Sequence, residues 1–359
     1  MPRLTDLGVS IGLLPAGPTD SMLDVPGVGV GHATVWRDEA LPPGGRGVAR
    51  TGVTVVDPGG SLFRRPVPAG GSVLNGAGEV TGLHSAREWG LIETPIFLTS
   101  TMQVGRVYDA ACWLLAAEEP AIGDEEVIIP VVAECDDSFL SESRVPQVTD
   151  GDVAAALAAA RASTGGQVPP DEGAVGAGTG MSCLGFKGGI GTASRVVPDG
   201  HTVGVVVLAN FGERHRLTVD GVAVGRLLLE TTGELPRPAG SCIVVVGTDA
   251  PVDAAGCPRL AARAGLGLAR TGSYAHHGSG EIFLAFATGL RGDRDARPSG
   301  RPVGGGDLDP YFAAVSEATE EAVINALLAA RTVVGRAGNT SEGLPAAAVR
   351  ELLAEHGRL

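Results

Sequence analysis

The sequence predicts a layered fold of mixed strands and helices, of the α/β or α+β class. Short apolar runs rich in β-branched residues recur along the chain, as expected of buried strands. Segments with helical apolar spacing lie between these runs rather than in a block of their own. Apolar residues make up 44% of the chain and aromatic residues only 4%, so valine, leucine, isoleucine and alanine must build the core. Strands and helices that alternate in this way pack as layers around a shared core.

Five apolar runs are the best candidates for strands. They are residues 52–56, 127–133, 202–208, 242–246 and 282–286. Helical spacing predicts helices at residues 107–118, 152–162, 311–330 and 346–355. The third helix is the longest, and Asp309 and Pro310 mark its start because proline fits the first turn of a helix.

Other segments carry few signs of a helix or strand. They are residues 8–27, 176–191 and 291–306, of which the last is expected to be an exposed loop. The polar segment 231–240, TTGELPRPAG, leads directly into the strand predicted at 242–246. It is either a linker between two domains, which a length of 359 residues allows, or a loop that holds a processing site.

Composition and charge exclude several classes of protein. The formal net charge is −14, which gives no electrostatic support for binding nucleic acid. No apolar stretch of about 18 residues is present to span a membrane, and the first residues do not resemble a signal peptide. The five cysteines are scattered without CxxC spacing, as in reduced cytosolic proteins. We therefore expect a soluble, cytoplasmic protein.

The glycine-rich segment 176–191, GAGTGMSCLGFKGGIG, is a candidate phosphate site, since such loops can cradle phosphate groups. A P-loop needs Ser or Thr after its lysine, but two glycines follow Lys187. A dinucleotide fingerprint should follow the first strand and open a helix, which this segment does not do. Tight turns and close packing are the better interpretation.

Histidine chemistry has little support in the sequence. No Gly-x-Ser-x-Gly motif stands between a strand and a helix with a plausible acid after it. His276 and His277 are adjacent, so on extended chain their side chains point to opposite faces, and no HExxH motif accompanies them. A metal site built on this pair is therefore not expected.

The Gly240–Ser241 bond offers a different chemistry. If it is cut, Ser241 becomes a chain terminus whose Oγ attacks the substrate and whose free α-amino group takes the proton. An α-amino group has a reference pKa of about 7.7–8.0, which suits a base at neutral pH. Taken alone, however, Gly-Ser before a strand is more often a simple turn.

The sequence around this bond decides between the two interpretations. Shared motifs include DVPGV at 24–28, NGAGEVTG at 75–82, GFKGGIGT at 185–192, AGLGLARTGS at 264–273 and SGEIFLAF at 279–286. With these motifs, in order along nearly the whole chain, the sequence closely resembles the self-processing N-terminal-nucleophile aminopeptidases, the family of L-aminopeptidase/D-esterase and the β-peptidyl aminopeptidases.

The resemblance implies a fold and a maturation. Members of the family are made as inactive precursors that cleave themselves before a serine, and the two fragments stay together in an α-β-β-α sandwich. Here this implies one α/β catalytic domain over residues 1–359, formed by an α chain of residues 1–240 and a β chain of residues 241–359. It also implies a homo-oligomer of αβ units, with no metal or organic cofactor.

Roles for further residues follow from the resemblance alone. Asn210 matches the asparagine whose amide helps to form the oxyanion hole, a task that suits a neutral donor. Ser279 and Glu281 match a Ser-x-Glu element that supports the nucleophile. Their spacing of two places both on one face of an extended chain, so that Glu281 can orient Ser279. The plainer interpretation is a loop with an exposed glutamate.

The substrate would be recognised at the end of the strand predicted at 127–133. Glu134 matches the acidic residue that pairs with the substrate's free ammonium group. The family often has tyrosine at the next position, contributing to the oxyanion hole, but this chain has Cys135. A thiol is a weaker donor, so a backbone N–H is the expected replacement.

The leading hypothesis is thus a serine aminopeptidase that acts on small peptides or on amino-acid amides and esters, including peptides of β-amino acids. A second hypothesis keeps the fold but cleaves internal amides of ω-amino acid oligomers. Relatives with that activity use threonine as nucleophile, and Ser241 argues against it. A third hypothesis is a non-enzymatic nucleotide-binding protein, built on the glycine-rich segment.

Overall fold

The computed structural model describes residues 2–232, 240–294, 296 and 300–359. Its strands are β1 (Gly29–Asp38), β2 (Val48–Asp57), β3 (Val67–Gly76), β4 (Leu91–Ile92), β5 (Ile96–Ser100), β6 (Val131–Cys135), β7 (Ser182–Cys183), β8 (Phe186–Lys187), β9 (Gly189–Val196), β10 (Thr202–Ala209), β11 (Cys242–Thr248), β12 (Gly280–Ala287), β13 (Val333–Val334) and β14 (Thr340–Ser341). Its α-helices are α1 (Leu83–Glu88), α2 (Val104–Glu118), α3 (Asp150–Ser163), α4 (Val224–Thr232), α5 (Cys257–Thr271), α6 (Asp309–Ala329) and α7 (Ala346–Glu355).

Two sheets form the centre of the molecule. One has four strands in the order β1-β2-β5-β6, and the other has six in the order β4-β3-β12-β11-β10-β9. Most neighbouring strands are antiparallel, but β5 pairs with β6 and β11 pairs with β12 in parallel. The parallel pairs matter for function, because equivalent ends of parallel strands meet at the same edge of a sheet.

Three apolar clusters separate four layers. One lies between the six-stranded sheet and helices α5 and α6, one between the two sheets, and one between the four-stranded sheet and helices α2 and α3. The expected α-β-β-α sandwich is therefore confirmed. The first two clusters draw residues from both sides of the Gly240–Ser241 bond, so the predicted α and β chains share one core.

Strand β11 shows how the sequence produces this burial. Val244 and Val246 face the helices, whereas Ile243 and Val245 face the other sheet. Because both faces are covered, the strand is an unbroken apolar run rather than an alternating one. Unbroken apolar runs of this kind are the reason that the central strands could be predicted from the sequence.

The predicted helices and strands are present, with corrected bounds. The strand predicted at 127–133 is wrong over its first half: β6 begins at Val131, after Pro130, which has no N–H to donate to a ladder, and it continues through Glu134 and Cys135. The segment 176–191 contains short strands and the start of β9. Most of segment 231–240 lies outside the described residues, as does part of the loop predicted at 291–306. No helix in the described ranges has the length and apolar character to cross a membrane.

The glycine-rich segment serves packing. The Lys187 Nζ group is fully buried and donates hydrogen bonds to the carbonyl oxygens of Gly178, Met181 and Gly188, at 2.7–2.9 Å. A Cβ atom on Gly191 would lie 1.8 Å from the carbonyl oxygen of Ala322, so glycine is required where β9 meets α6. With its ammonium group enclosed in this way, Lys187 cannot reach a bound phosphate.

Candidate active site

The candidate nucleophile lies at one edge of the six-stranded sheet. Ser241 immediately precedes β11, and it is 4% exposed. Its backbone N–H donates to the carbonyl oxygen of Asn210 at 2.7 Å, which extends the β10–β11 ladder by one residue. In the parallel β11–β12 pair Cys242 is opposite Glu281, so the Ser279–Glu281 segment reaches the same edge. The fold thus brings together residues that are up to 71 positions apart in the sequence, Asn210 and Glu281.

Ser279 and Glu281 make the contact expected of them. The Ser279 hydroxyl donates a hydrogen bond to Oε1 of Glu281, and both side chains are fully buried. The interpretation of Glu281 as an exposed loop residue is therefore wrong. Burial raises the pKa of Glu281, while the bond from Ser279 acts in the opposite direction. The second oxygen of Glu281, Oε2, has no hydrogen-bond partner within the described part of the chain.

Asn210 is fixed by hydrogen bonds on both sides of its amide. Its Nδ2 donates to the carbonyl oxygen of Asp136 at 2.9 Å, and its Oδ1 accepts from the backbone N–H of Ser182 at 2.9 Å. Asp136 directly follows β6, so this side chain connects the ends of the two sheets. One N–H of the amide remains for a further acceptor, and the oxyanion role of Asn210 stays a prediction.

Glu134 lies at the corresponding end of the four-stranded sheet. Its Oε1 accepts a hydrogen bond from the backbone N–H of Glu79 at 2.8 Å, and its Oε2 accepts one from the hydroxyl of Thr101. Only 3% of Glu134 is exposed, and this burial raises the pKa of the carboxyl group against the opposing effect of both hydrogen bonds. The carboxylate is thus held in one orientation.

Gly78 connects the two carboxylate sites. A Cβ atom on Gly78 would lie 3.1 Å from Oε1 of Glu134 and 3.7 Å from Cα of Gly280. Gly280 stands between Ser279 and Glu281, so only the width of one glycine separates Glu134 from the segment beside Ser241.

Cys135 is placed differently from its neighbour. It is fully buried among the apolar residues between the two sheets, and its thiol donates to the carbonyl oxygen of Leu208 at 3.6 Å. Burial raises the pKa of this thiol well above its ordinary value. The thiol is thus engaged by a backbone carbonyl group between the two sheets, and its role in the oxyanion hole stays a prediction.

Sequence reasoning did not single out Thr101, which directly follows β5, beside the end of β6 that carries Glu134. The register of the parallel pair, Thr99 opposite Glu134, brings the two together. A hydroxyl residue directly after a buried run, IFLTS, was the available indication. Neither His276 nor His277 joins a group of three or more potential metal ligands among the described residues.

Comparison with known proteins identifies the family. The model of peptidase family S58 matches residues 20–341. The chain belongs to this family. A β-peptidyl aminopeptidase, BapA, of Sphingosinicella microcystinivorans is 40% identical over 386 residues, covering 100% of this chain and 93% of that protein.

Solved structures agree with the S58 assignment. A β-aminopeptidase of a Burkholderia species is 42% identical, covers 99% of both chains and superposes with a TM-score of 0.89. An L-aminopeptidase D-Ala-esterase/amidase of Ochrobactrum anthropi, described as a prototype of the serine aminopeptidases and a variant of the Ntn hydrolase fold, is 35% identical over 100% of both chains, with a TM-score of 0.90. This S58 protein is therefore an aminopeptidase with an Ntn hydrolase fold.

Proposed function

We propose that this aminopeptidase matures by cutting its own Gly240–Ser241 bond and that Ser241 is then its nucleophile. The observation that carries the proposal is the position of Ser241, buried at the start of β11 beside Asn210 and the Ser279–Glu281 pair. A hydroxyl group in this position gains a base on its own residue as soon as its nitrogen becomes a free amine. The products are chains of residues 1–240 and 241–359, held together by their common apolar clusters.

In the mature enzyme, catalysis proceeds through an acyl-enzyme. The α-amino group of Ser241 takes the proton from its own Oγ as Oγ attacks the substrate carbonyl, and it passes the proton to the leaving amine. Water then attacks the ester with the same amine as base. The free N–H of Asn210 stabilises the oxyanion, and Ser279, oriented by Glu281, holds the Ser241 amine.

Glu134 selects substrates with a free amino terminus. A buried carboxylate that neutralises an ammonium group restricts cleavage to the first residue. When an internal peptide bond occupies the site, no ammonium group reaches the carboxylate, and its charge is left unpaired. The names of the relatives point to small β-peptides and to amides and esters of amino acids as substrates.

We also propose a homo-oligomer of αβ units in the cytoplasm, a compartment that the five unpaired thiols fit.

The test is N-terminal sequencing and intact mass measurement of freshly purified enzyme. We expect two fragments, the smaller beginning at Ser241, and for Ser241→Ala a single uncut chain without activity. Ser316→Ala, which removes a hydroxyl on α6 that bonds to the carbonyl oxygens of Phe312 and Arg263, is the matched control and should be cut and active. An active wild-type enzyme that remains one chain, or an active Ser241→Ala variant, contradicts the proposal.

A second assay tests the role of Glu134. Hydrolysis of a dipeptide amide with a free amine should exceed that of its N-acetylated form by about 10-fold or more, because the capped substrate cannot pair with the carboxylate. Equal rates would favour an endo-acting amide hydrolase instead.

A further inference from the structure

Gly240 lies against the turn that precedes β12. A Cβ atom placed on Gly240 would lie 3.0 Å from Nε2 of His276 and 3.1 Å from the carbonyl oxygen of Gly278. The imidazole ring of His276 is therefore packed against the acyl side of the Gly240–Ser241 bond. The mechanism of the mature enzyme makes no use of this side chain.

The turn that carries His276 is held by several hydrogen bonds. The backbone N–H of Ser279 donates to the carbonyl oxygen of His276 at 2.8 Å, and Nδ2 of Asn75 donates to the same oxygen at 2.9 Å. Asn75 lies in β3, so the turn is fixed to the sheet. Ala275 has a φ of +50°, a backbone conformation that residues other than glycine rarely adopt. The backbone that carries the imidazole is thus held by hydrogen bonds from the chain after it and from β3.

Self-cleavage has a requirement that the mature reaction lacks. Before the Gly240–Ser241 bond is cut, the nitrogen of Ser241 is a peptide amide whose N–H donates to Asn210, and an amide nitrogen is not a base. The α-amine that serves the mature enzyme does not yet exist. Another group beside the bond must take the proton of the attacking hydroxyl, and the imidazole of His276 is packed against the acyl side of that bond.

We propose that His276 is the acid–base residue of self-cleavage, an inference that rests on the maturation proposed above. The neutral imidazole accepts the Ser241 hydroxyl proton as Oγ bonds to the carbonyl carbon of Gly240. It returns the proton to the nitrogen of Ser241 as the C–N bond breaks, which leaves an ester and a free amine. Water then hydrolyses the ester to the carboxylate of Gly240 and the hydroxyl of Ser241.

The groups around the turn set the electrostatic environment of the His276 imidazole. The ring of Tyr274 lies 6.1 Å from the imidazole, and Tyr274 is contacted in turn by Glu213 and by the guanidinium group of Arg216. His277 follows in sequence and is exposed. Glu281, bonded to Ser279, lies beyond the turn. A histidine that accepts and returns a proton makes self-cleavage depend on pH.

The test follows pulse-labelled full-length chain, made by in vitro translation and transferred at once to buffers between pH 5 and 8. In the wild type the full-length band should disappear faster as pH rises through this range, because only the neutral imidazole accepts a proton. His276→Ala should slow cleavage about 100-fold or more, the size typical of general acid–base catalysis, and abolish the pH dependence. Added imidazole should restore part of the rate. His277→Ala, the adjacent exposed histidine, should be cut like the wild type.

The outcomes separate the two proposals. A wild-type chain that is never cut overturns the maturation itself. A wild type that is cut, with a His276→Ala variant cut at the same rate, overturns the role of His276 and leaves the maturation standing. Slow cleavage of His276→Ala that keeps the wild-type pH dependence and is not restored by imidazole identifies a merely structural effect, and it also overturns the role.

Discussion

Each of the two sheets carries a buried glutamate next to one end of a strand, Glu134 in β6 and Glu281 in β12, and the two glutamates differ in how their oxygens are bound. Glu134, at the end of the four-stranded sheet, has both oxygens engaged, by the N–H of Glu79 and the hydroxyl of Thr101. Glu281, in the six-stranded sheet, has one oxygen bonded to Ser279 and the other without a partner among the described residues. Burial raises the pKa of both.

This difference fits two tasks. A carboxylate that accepts hydrogen bonds at both oxygens is stabilised in its charged form and fixed in direction, which suits the binding of an ammonium group. A carboxylate with a free oxygen beside the proposed nucleophile can adjust the hydrogen bond that it makes with Ser279 as protons move. We therefore expect substitutions at Glu281 to affect the chemical step and substitutions at Glu134 to affect binding.

Glu281→Gln should have the largest effect. It keeps the shape of the side chain but removes the charge that orients Ser279, and we expect kcat to fall about 100-fold or more. Self-cleavage should slow as well. The measurement is steady-state kinetics on a free-amine dipeptide amide, with the fraction of cut chain quantified by mass spectrometry. A variant whose KM rises while kcat is unchanged would break the distinction between the two glutamates.

Glu134→Gln should act mainly on KM. Loss of a charge-assisted hydrogen bond costs about 1.5–3 kcal/mol, so kcat/KM for free-amine substrates should fall about 10- to 150-fold, while self-cleavage proceeds normally. The acetylated substrate, which has no ammonium group, serves as the internal control and should be unaffected. Impaired self-cleavage in this variant would show that Glu134 supports the nucleophile rather than the substrate.

The pH dependence of KM gives a separate test of Glu134. In the role proposed for Glu134, the substrate's ammonium group binds the ionised carboxylate, and burial raises the pKa of Glu134 above its ordinary value. Binding should therefore weaken as pH falls through this raised pKa, at a higher pH than for an exposed glutamate. Thr101→Val removes a hydrogen bond to the ionised form, so it should move this loss of binding to still higher pH and raise KM a few-fold at neutral pH. An unchanged KM profile would exclude Thr101 from the site.

Cys135→Ala should have the smallest effect on activity. The thiol bonds to the carbonyl oxygen of Leu208 between the sheets, so kcat/KM should stay within about threefold of the wild type. The lost packing should cost about 1 kcal/mol of unfolding free energy, measurable by denaturant titration. A large loss of kcat at unchanged stability would show that the thiol does reach the oxyanion after all.

Some contacts of the site could be predicted from the sequence and others could not. Ser279 and Glu281 could be placed together because a spacing of two on extended chain puts both on one face. The hydrogen bond from Asn210 to Asp136 could not be foreseen, because it joins the ends of two different sheets. Thr101 was missed for a similar reason, since its contact with Glu134 depends on the pairing of β5 with β6.

The fold shows the same division. Strands β10 and β11 and helix α6 were found because burial on several faces produces long apolar runs. Strand β3, VPAGGSVLNG, was missed because glycines and polar residues interrupt its pattern, although it pairs with β12 over most of its length. Because Pro130 has no N–H to donate to a ladder, β6 begins only after it, and the apolar residues before Pro130 were wrongly predicted to be strand.

By itself the sequence determined the layered α/β class, the family and the bond at which the chain is expected to cut, because these depend on local composition and on ordered motifs. Only the tertiary structure decided how each polar group is bound. It turned Cys135 into the inter-sheet core, enclosed Lys187 among carbonyl oxygens and set His276 against Gly240. The physical reason is that hydrogen bonding and burial depend on neighbours supplied by distant segments, whose arrangement local patterns do not specify.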